Sequence, residues 1–177
     1  SGLPEVQVGN VDSPSVTIED WNDLNDIRDG LDENYVLEND LDENTVGYDD
    51  IAGSVANGGQ GFDPIGTLDN PFIGTFDGQG NEIRGLNIDR PDEDAVGLFG
   101  IISGGRTTPA VQQLTLKDST ITGSGDASEG GVGPLAGGVF GVRNVADIAV
   151  EGGDVAGTDR YVGGLIGSCW DASDVDI

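Results

Sequence analysis

One segment of this chain is written twice. Val111-Gln-Gln-Leu114-Thr-Leu116-Lys-Asp-Ser-Thr-Ile121-Thr-Gly123 recurs as Val145-Ala-Asp-Ile148-Ala-Val150-Glu-Gly-Gly-Asp-Val155-Ala-Gly157, with apolar residues at steps one, four, six and eleven and a closing glycine. A unit that short cannot bury its own apolar side; it is stable only when like units stack on it. Ile83-Arg-Gly-Leu86-Asn-Ile88 and the terminal Ala172-Ser-Asp-Val175-Asp-Ile177 fit the first half of the same template. Gly-flanked apolar pairs stand between the units: Gly97-Leu98-Phe99-Gly100, Gly138-Val139-Phe140-Gly141 and Gly164-Leu165-Ile166-Gly167. On this alignment the steps from Leu86 to Leu114 to Ile148 to Val175 are 28, 34 and 27 residues. Fixed strands with irregular loops predict an all-β β-solenoid, each turn about 4.8 Å above the last. Alternation points Leu114, Leu116 and Ile121 inward and Thr115 and Lys117 outward. A two-sheet sandwich of short strands is the competing fold, but it predicts no internal template.

The 31 glycines suit sharp corners between strands. Thr17-Ile18-Glu19-Asp20 reads as a capping box ahead of Trp21, Leu24 and Ile27, with Gly30 as a stop. This predicts a short amphipathic helix over roughly 18–29, its Trp21 face on the core and its Asp and Asn face in water. Strands are expected at Tyr35-Val36-Leu37, Ile83 to Ile88, Val111 to Leu116, Ile148 to Val150 and Val175 to Ile177. The domain reading is an extended arm or strand over 1–15 and a single domain over 16–177, open to continuation beyond 177.

Charge sets the environment. The chain carries 33 Asp plus Glu against 7 Lys plus Arg, a formal net charge of -26, and 24 of the 33 acids are Asp. No basic patch exists to neutralise phosphates or an anionic bilayer, which excludes nucleic-acid and membrane-surface binding. No apolar run is long enough to span a membrane. Self-repulsion of this size costs stability at low ionic strength, whereas at about 1 M salt the Debye length is about 3 Å. A halophilic source follows, with a haloarchaeon as the natural candidate. Disorder is the alternative meaning of high charge and low hydropathy, and the regular apolar template argues against it.

Phe72-Ile-Gly74-Thr-Phe76-Asp77-Gly78-Gln79-Gly80-Asn81-Glu-Ile83-Arg84-Gly-Leu86-Asn-Ile88, then Val96-Gly97-Leu98-Phe99-Gly100 and Val162-Gly163-Gly164-Leu165-Ile166-Gly167, resembles the GLUG-motif β-helix proteins of microbial cell surfaces. The order of Asp20-Trp21, Asn34-Tyr35-Val36-Leu37 and Pro64-Ile65-Gly66 upstream is similar to theirs. The resemblance runs from about residue 16 to the end. It implies a right-handed parallel β-helix in a secreted or surface-anchored, adhesin-like protein, and it implies no chemistry.

Chemistry-bearing clusters are few. Asp40, Asp42, Asp49 and Asp50 are the candidate ligands of a loose Ca²⁺ site, although Thr45 and Ile51 stand where an EF-hand needs Gly and Glu. A solvated acidic face is the competing meaning. Arg84, Arg143 and Arg160 fall near equivalent corners and would form a row, unless each pairs with a neighbouring Asp. There is no His and no nucleophile setting, so no enzyme, no catalytic residue and no organic cofactor is expected. Loops at 103–109 and 124–133 are where a scaffold would place binding.

A stacked fold must also be closed at its ends. The helix covers the first turn. The last turn, around Cys169, Trp170, Val175 and Ile177, is expected to dock on another protein chain, with Val6 and Val8 of the arm as a candidate complementing strand. The expected function is a non-enzymatic, extracellular structural or adhesive module, or a surface-filament subunit, with surface glycans as candidate ligands. The alternative is a carbohydrate-active β-helix that binds or cleaves polysaccharide.

Overall fold

The computed structural model describes residues 14–104, 110–125, 129–141, 145–159 and 161–170, excluding the Trp170 side chain. The arm with Val6 and Val8, the residues Arg143 and Arg160, and the terminal Val175 and Ile177 lie outside the described residues. Strands dominate, and every strand pair among the described residues is parallel. Three sheets hold them. The first contains β1 (Val16–Ile18), β2 (Asn34–Leu37), β3 (Thr75–Asp77), β7 (Val111–Lys117) and β10 (Val145–Glu151) in that order, with β4 (Glu82–Arg84) also on β7. The second stacks β5 (Asn87–Asp89), β8 (Thr120–Gly123) and β11 (Asp154–Gly157). The third stacks β6 (Phe99–Ser103), β9 (Ala136–Phe140) and β12 (Ile166–Trp170). The chain therefore visits the three sheets in turn and returns to the first. No family of hairpins is involved, because neighbours in a sheet are never consecutive in sequence beyond β1–β3.

The double segment behaves as its spacing predicts. Val111, Leu114 and Leu116 pair with Val145, Ile148 and Val150, and Ile121 and Gly123 pair with Val155 and Gly157. Leu114, Leu116 and Ile121 are buried, while Thr115 and Lys117 reach solvent. The flanking alignments need correction. Ile83 pairs with Leu116 and Ile88 with Ile121, so the first copy of the template begins at Phe76, opposite Val111, and not at Ile83. In this register Ile83, Leu116 and Val150 are 33 and 34 residues apart, as are Ile88, Ile121 and Val155. The reason lies in Gly78 to Asn81, which intervene between β3 and β4 and disguise the match. Gly85, Asp118 and Gly152 fall at one corner, with φ of 72°, 50° and 66°. A left-handed corner residue is what lets the strand leave one sheet and enter the next, and Gly or Asp adopts it at least cost.

The glycine pairs shift likewise. Phe99, Ala136 and Ile166 are register partners. The middle copy of Gly97-Leu98-Phe99-Gly100 is thus Pro134-Leu135-Ala136-Gly137, four residues before the predicted Gly138 to Gly141. Packing explains its last glycine: a Cβ on Gly137 would run into the Ala95 backbone, and one on Gly100 into the Gly66 carbonyl.

The first helix begins later than predicted. Val16-Thr17-Ile18 form β1, paired with Tyr35 to Leu37, in keeping with the strand preference of β-branched residues. Helix α1 is Trp21–Asp26, continued by a 3-10 turn at Ile27–Asp29. Its N-cap is Asp20 and not Thr17; the Asp20 carboxylate accepts from the amides of Asn22 and Asp23. Two single-turn helices follow, α2 (Tyr48–Ile51) and α3 (Ala56–Gly59). The core is one continuous column. Tyr35, Phe72, Phe99 and Phe76 form an aromatic run at its N-terminal end, with ring centroids 6.3, 4.8 and 5.9 Å apart. Aliphatic residues take over later, from Val111 to Val139.

Candidate functional site

The two ends of the stack are built differently. At the N-terminal end α1 lies across the first strands with Trp21, Leu24 and Ile27 fully buried. The indole Nε1 of Trp21 donates to the Asp42 carbonyl at 2.9 Å, and the ring meets Tyr48 and Phe62 edge-on. That end presents acidic residues outward and apolar ones inward, as a lid should.

At the other end the last described strands have no layer above them among the described residues. Val111, Leu116 and Ile121 are 0% exposed, whereas their partners Val145, Val150 and Val155 are only half-buried. The same contrast separates Val132, 0% exposed, from Val162, 41% exposed. Leu165 and Ile166 are half-buried, and the backbones of β10, β11 and β12 are each the edge of their sheet. Cys169, opposite Val139, is an exposed free thiol. Partial desolvation pushes that thiol up from its ordinary value, which makes it a slow nucleophile. Of the residues predicted for an interface, Cys169 and the Trp170 backbone are thus placed on this edge.

The acidic candidates for calcium are not gathered. Among the described residues no group of three or more acidic, His or Cys side chains is arranged to hold a metal ion. Their oxygens have other work. Asp40 accepts from the Glu82 amide at 2.8 Å, tying the second and third passes of the chain together. Asp42 accepts from the Asn44 amide and the Thr45 hydroxyl, and the Asn44 amide chiefly holds its carboxyl below the usual range. Asp49 and Asp50 lie in α2. The arginine row is not assembled by the described residues either: Arg84 pairs with Glu82 at 2.8 Å, and Lys117 bridges Glu82 and Glu151. The Arg84 guanidinium holds the Glu82 carboxyl down. The Arg84–Glu82 pair lies within β4, whereas the Lys117 pairs cross from β7 to β4 and β10 in the first sheet, as does the Asp77–Gln112 hydrogen bond of 2.9 Å from β3 to β7.

Sequence reasoning missed Arg90. It is 7% exposed, donates to the Phe62 carbonyl, and pairs with Glu93 at 2.9 Å and Asp63 at 3.4 Å. Its partners Asp63 and Glu93 line a groove of about 420 Å³ that Asp69, Asp92, Asp94 and Glu129 also line. The run Arg90-Pro-Asp-Glu-Asp was the available signal. No helix among the described residues is long and apolar enough to cross a membrane.

No family model matches the chain, so the GLUG resemblance stands on the residues quoted for it. No solved structure matches it. Halomucin of Haloquadratum walsbyi is 40% identical over 133 residues, covering 72% of this chain and 1% of its own length. A putative Gly-rich membrane protein of Evansella cellulosilytica is 34% identical over 128 residues, covering 72% of this chain and 13% of its own. The chain thus corresponds to a small part of each relative. It is a moderately similar relative of a protein from a halophilic archaeon.

Proposed function

We propose that the chain is a right-handed parallel β-helix that serves as a non-enzymatic, extracellular structural or adhesive module of a halophilic microbe, associating with other chains through its C-terminal edge. The observation that carries this reading is the 33- and 34-residue register of Ile83, Leu116 and Val150, because it is the register of a chain wound on itself. The net charge of -26 and the similarity to halomucin support the halophilic surface part. A scaffold of this kind displays loops and carries load, and it needs neither metal nor organic cofactor.

Circular dichroism from molar KCl down to about 0.1 M tests the setting. Loss of the β signal below about 1 M is expected as repulsion between carboxylates comes unscreened. An unchanged spectrum throughout would remove the halophilic reading. Incubation with neutral and acidic polysaccharides should release no reducing ends, and turnover lost on carboxylate substitution would establish the carbohydrate-active alternative instead.

A further inference from the structure

We infer that Asn57 is a site of self-modification: its side-chain amide is lost by cyclisation onto the following glycine, and the acid that results loosens the turn that seats Phe62 against Trp21. Three observations carry it.

The first is access. Asn57-Gly58 is the only Asn-Gly step in the chain. Asn57, Gly58 and Gly59 are exposed, and a Cβ on either glycine would have no atom within 4 Å, so no neighbour crowds this turn. Asparagine amides are thermolabile, and the reaction needs no reagent but water. The Gly58 nitrogen attacks Asn57 Cγ; the N–Cγ bond forms, the Cγ–Nδ2 bond breaks, and ammonia leaves with the proton of the glycine amide. Water then opens the cyclic imide at either carbonyl, giving Asp or isoaspartate.

The second is a latch. Asn57 stands in left-handed backbone, with φ of 50° and ψ of 41°, a conformation that asparagine tolerates. At that ψ the Gly58 nitrogen lies nearly trans to the Asn57 Cβ, so the reacting atoms meet only after the turn rotates. Asn57 Nδ2 also donates to the Gly61 carbonyl at 2.8 Å, and rotation must break that bond. Local opening of the turn therefore sets the rate.

The third is the consequence. Gly61 is packed so closely on Asn87 that a Cβ would strike the Asn87 carbonyl, and the Phe62 amide donates to that same oxygen at 2.8 Å. A carboxylate at 57 has no proton to offer the Gly61 carbonyl, and isoaspartate adds a backbone carbon to a turn pinned at this end. Phe62 is fully buried and meets Trp21 edge-on, so the change is felt beneath the helical lid.

The test holds the full chain in molar KCl at mildly alkaline pH and follows it by peptide mass mapping, with enzymatic methylation of isoaspartate as the second readout. Asn57 should convert ahead of every other asparagine. Conversion in the folded chain should be at least about fivefold slower than in the urea-unfolded chain, the population cost of breaking one hydrogen bond. Asn57→Asp, the product fixed in advance, should keep its circular dichroism and melt about 2–4 °C lower. Equal rates in the folded and unfolded chain would overturn the latch. Another asparagine converting first, or an intact Asn57 in the folded chain after many multiples of the unfolded chain's conversion time, would overturn the site. An Asn57→Asp protein as stable as its parent would overturn the effect on the lid.

Discussion

Val111 and Val145 occupy the same position on consecutive passes and are direct register partners. They differ in cover: Val111 is 0% exposed and Val145 half-buried at the edge. Substituting each by alanine is therefore the same chemical change with and without a layer above. At Val111 two methyl groups at about 0.8 kcal/mol each are lost from the core, and a closed cavity adds to that, for about 2.5 kcal/mol. At Val145 about half the transfer term applies and water fills the space, for about 0.8 kcal/mol. The gap of about 1.7 kcal/mol corresponds to a Tm difference of roughly 3–7 °C in a chain of this size. Thermal and urea unfolding of both variants in about 2 M KCl, at protein concentrations too low for association, measures it. Equal losses would refute the reasoning. They would mean either that Val145 is covered or that the two valines are not stacked.

Three further outcomes follow from the same contacts. The Tyr35 hydroxyl donates to the Gly30 carbonyl at 2.7 Å and is pushed up to about 12, chiefly by burial and then by Glu33, Asp32 and Asp29. Below its ordinary value of 10.0 both folded and unfolded forms keep the proton; above it only the unfolded form loses it, so stability falls between pH 10 and 12. Tyr35→Phe should flatten part of that fall in urea titrations, and Tyr48, also raised by burial, should account for more. Gly137→Ala drives a Cβ into the Ala95 backbone and should cost several kcal/mol, whereas alanine at Gly164, which has open space around it, should change the melting temperature by no more than about 2 °C. Because the Asp42 carboxylate is spent on the Asn44 amide and the Thr45 hydroxyl, chelation with EDTA in molar KCl should leave the melting temperature unmoved; a drop restored by calcium would revive the acidic cluster as a metal site.

The double segment exposed the pairing of β7 with β10 and of β8 with β11 before any coordinate, because its apolar steps are unbroken from Val111 to Ile121 and from Val145 to Val155. Ile83 and Leu86 misled for a definite reason. Gly78 to Asn81 lengthen the first copy, and the eye then matches Ile83 with the wrong step. Val139-Phe140 misled because Ala136, not a large residue, is the true partner of Phe99 and Ile166; a small side chain in a tight column carries no hydropathy signal. Asp20 took the cap from Thr17 because Val16 to Ile18 had a strand to join. Arg90 was missed because its one local signal, the run Arg90-Pro-Asp-Glu-Asp, reads equally as a solvated charged loop and does not say that the guanidinium is buried.

The register of 33 and 34 residues per pass has a mechanical meaning. Neighbouring strands lie about 4.8 Å apart, yet each pass stores a contour length of roughly 110 Å. A chain of this kind, tugged from its C-terminal side, would shed one pass at a time. Each pass gives up a long reserve of slack for the rupture of a single layer of contacts. The aromatic run beneath α1 would be the last to yield, so extension begins where the side chains are small and stops at the lid.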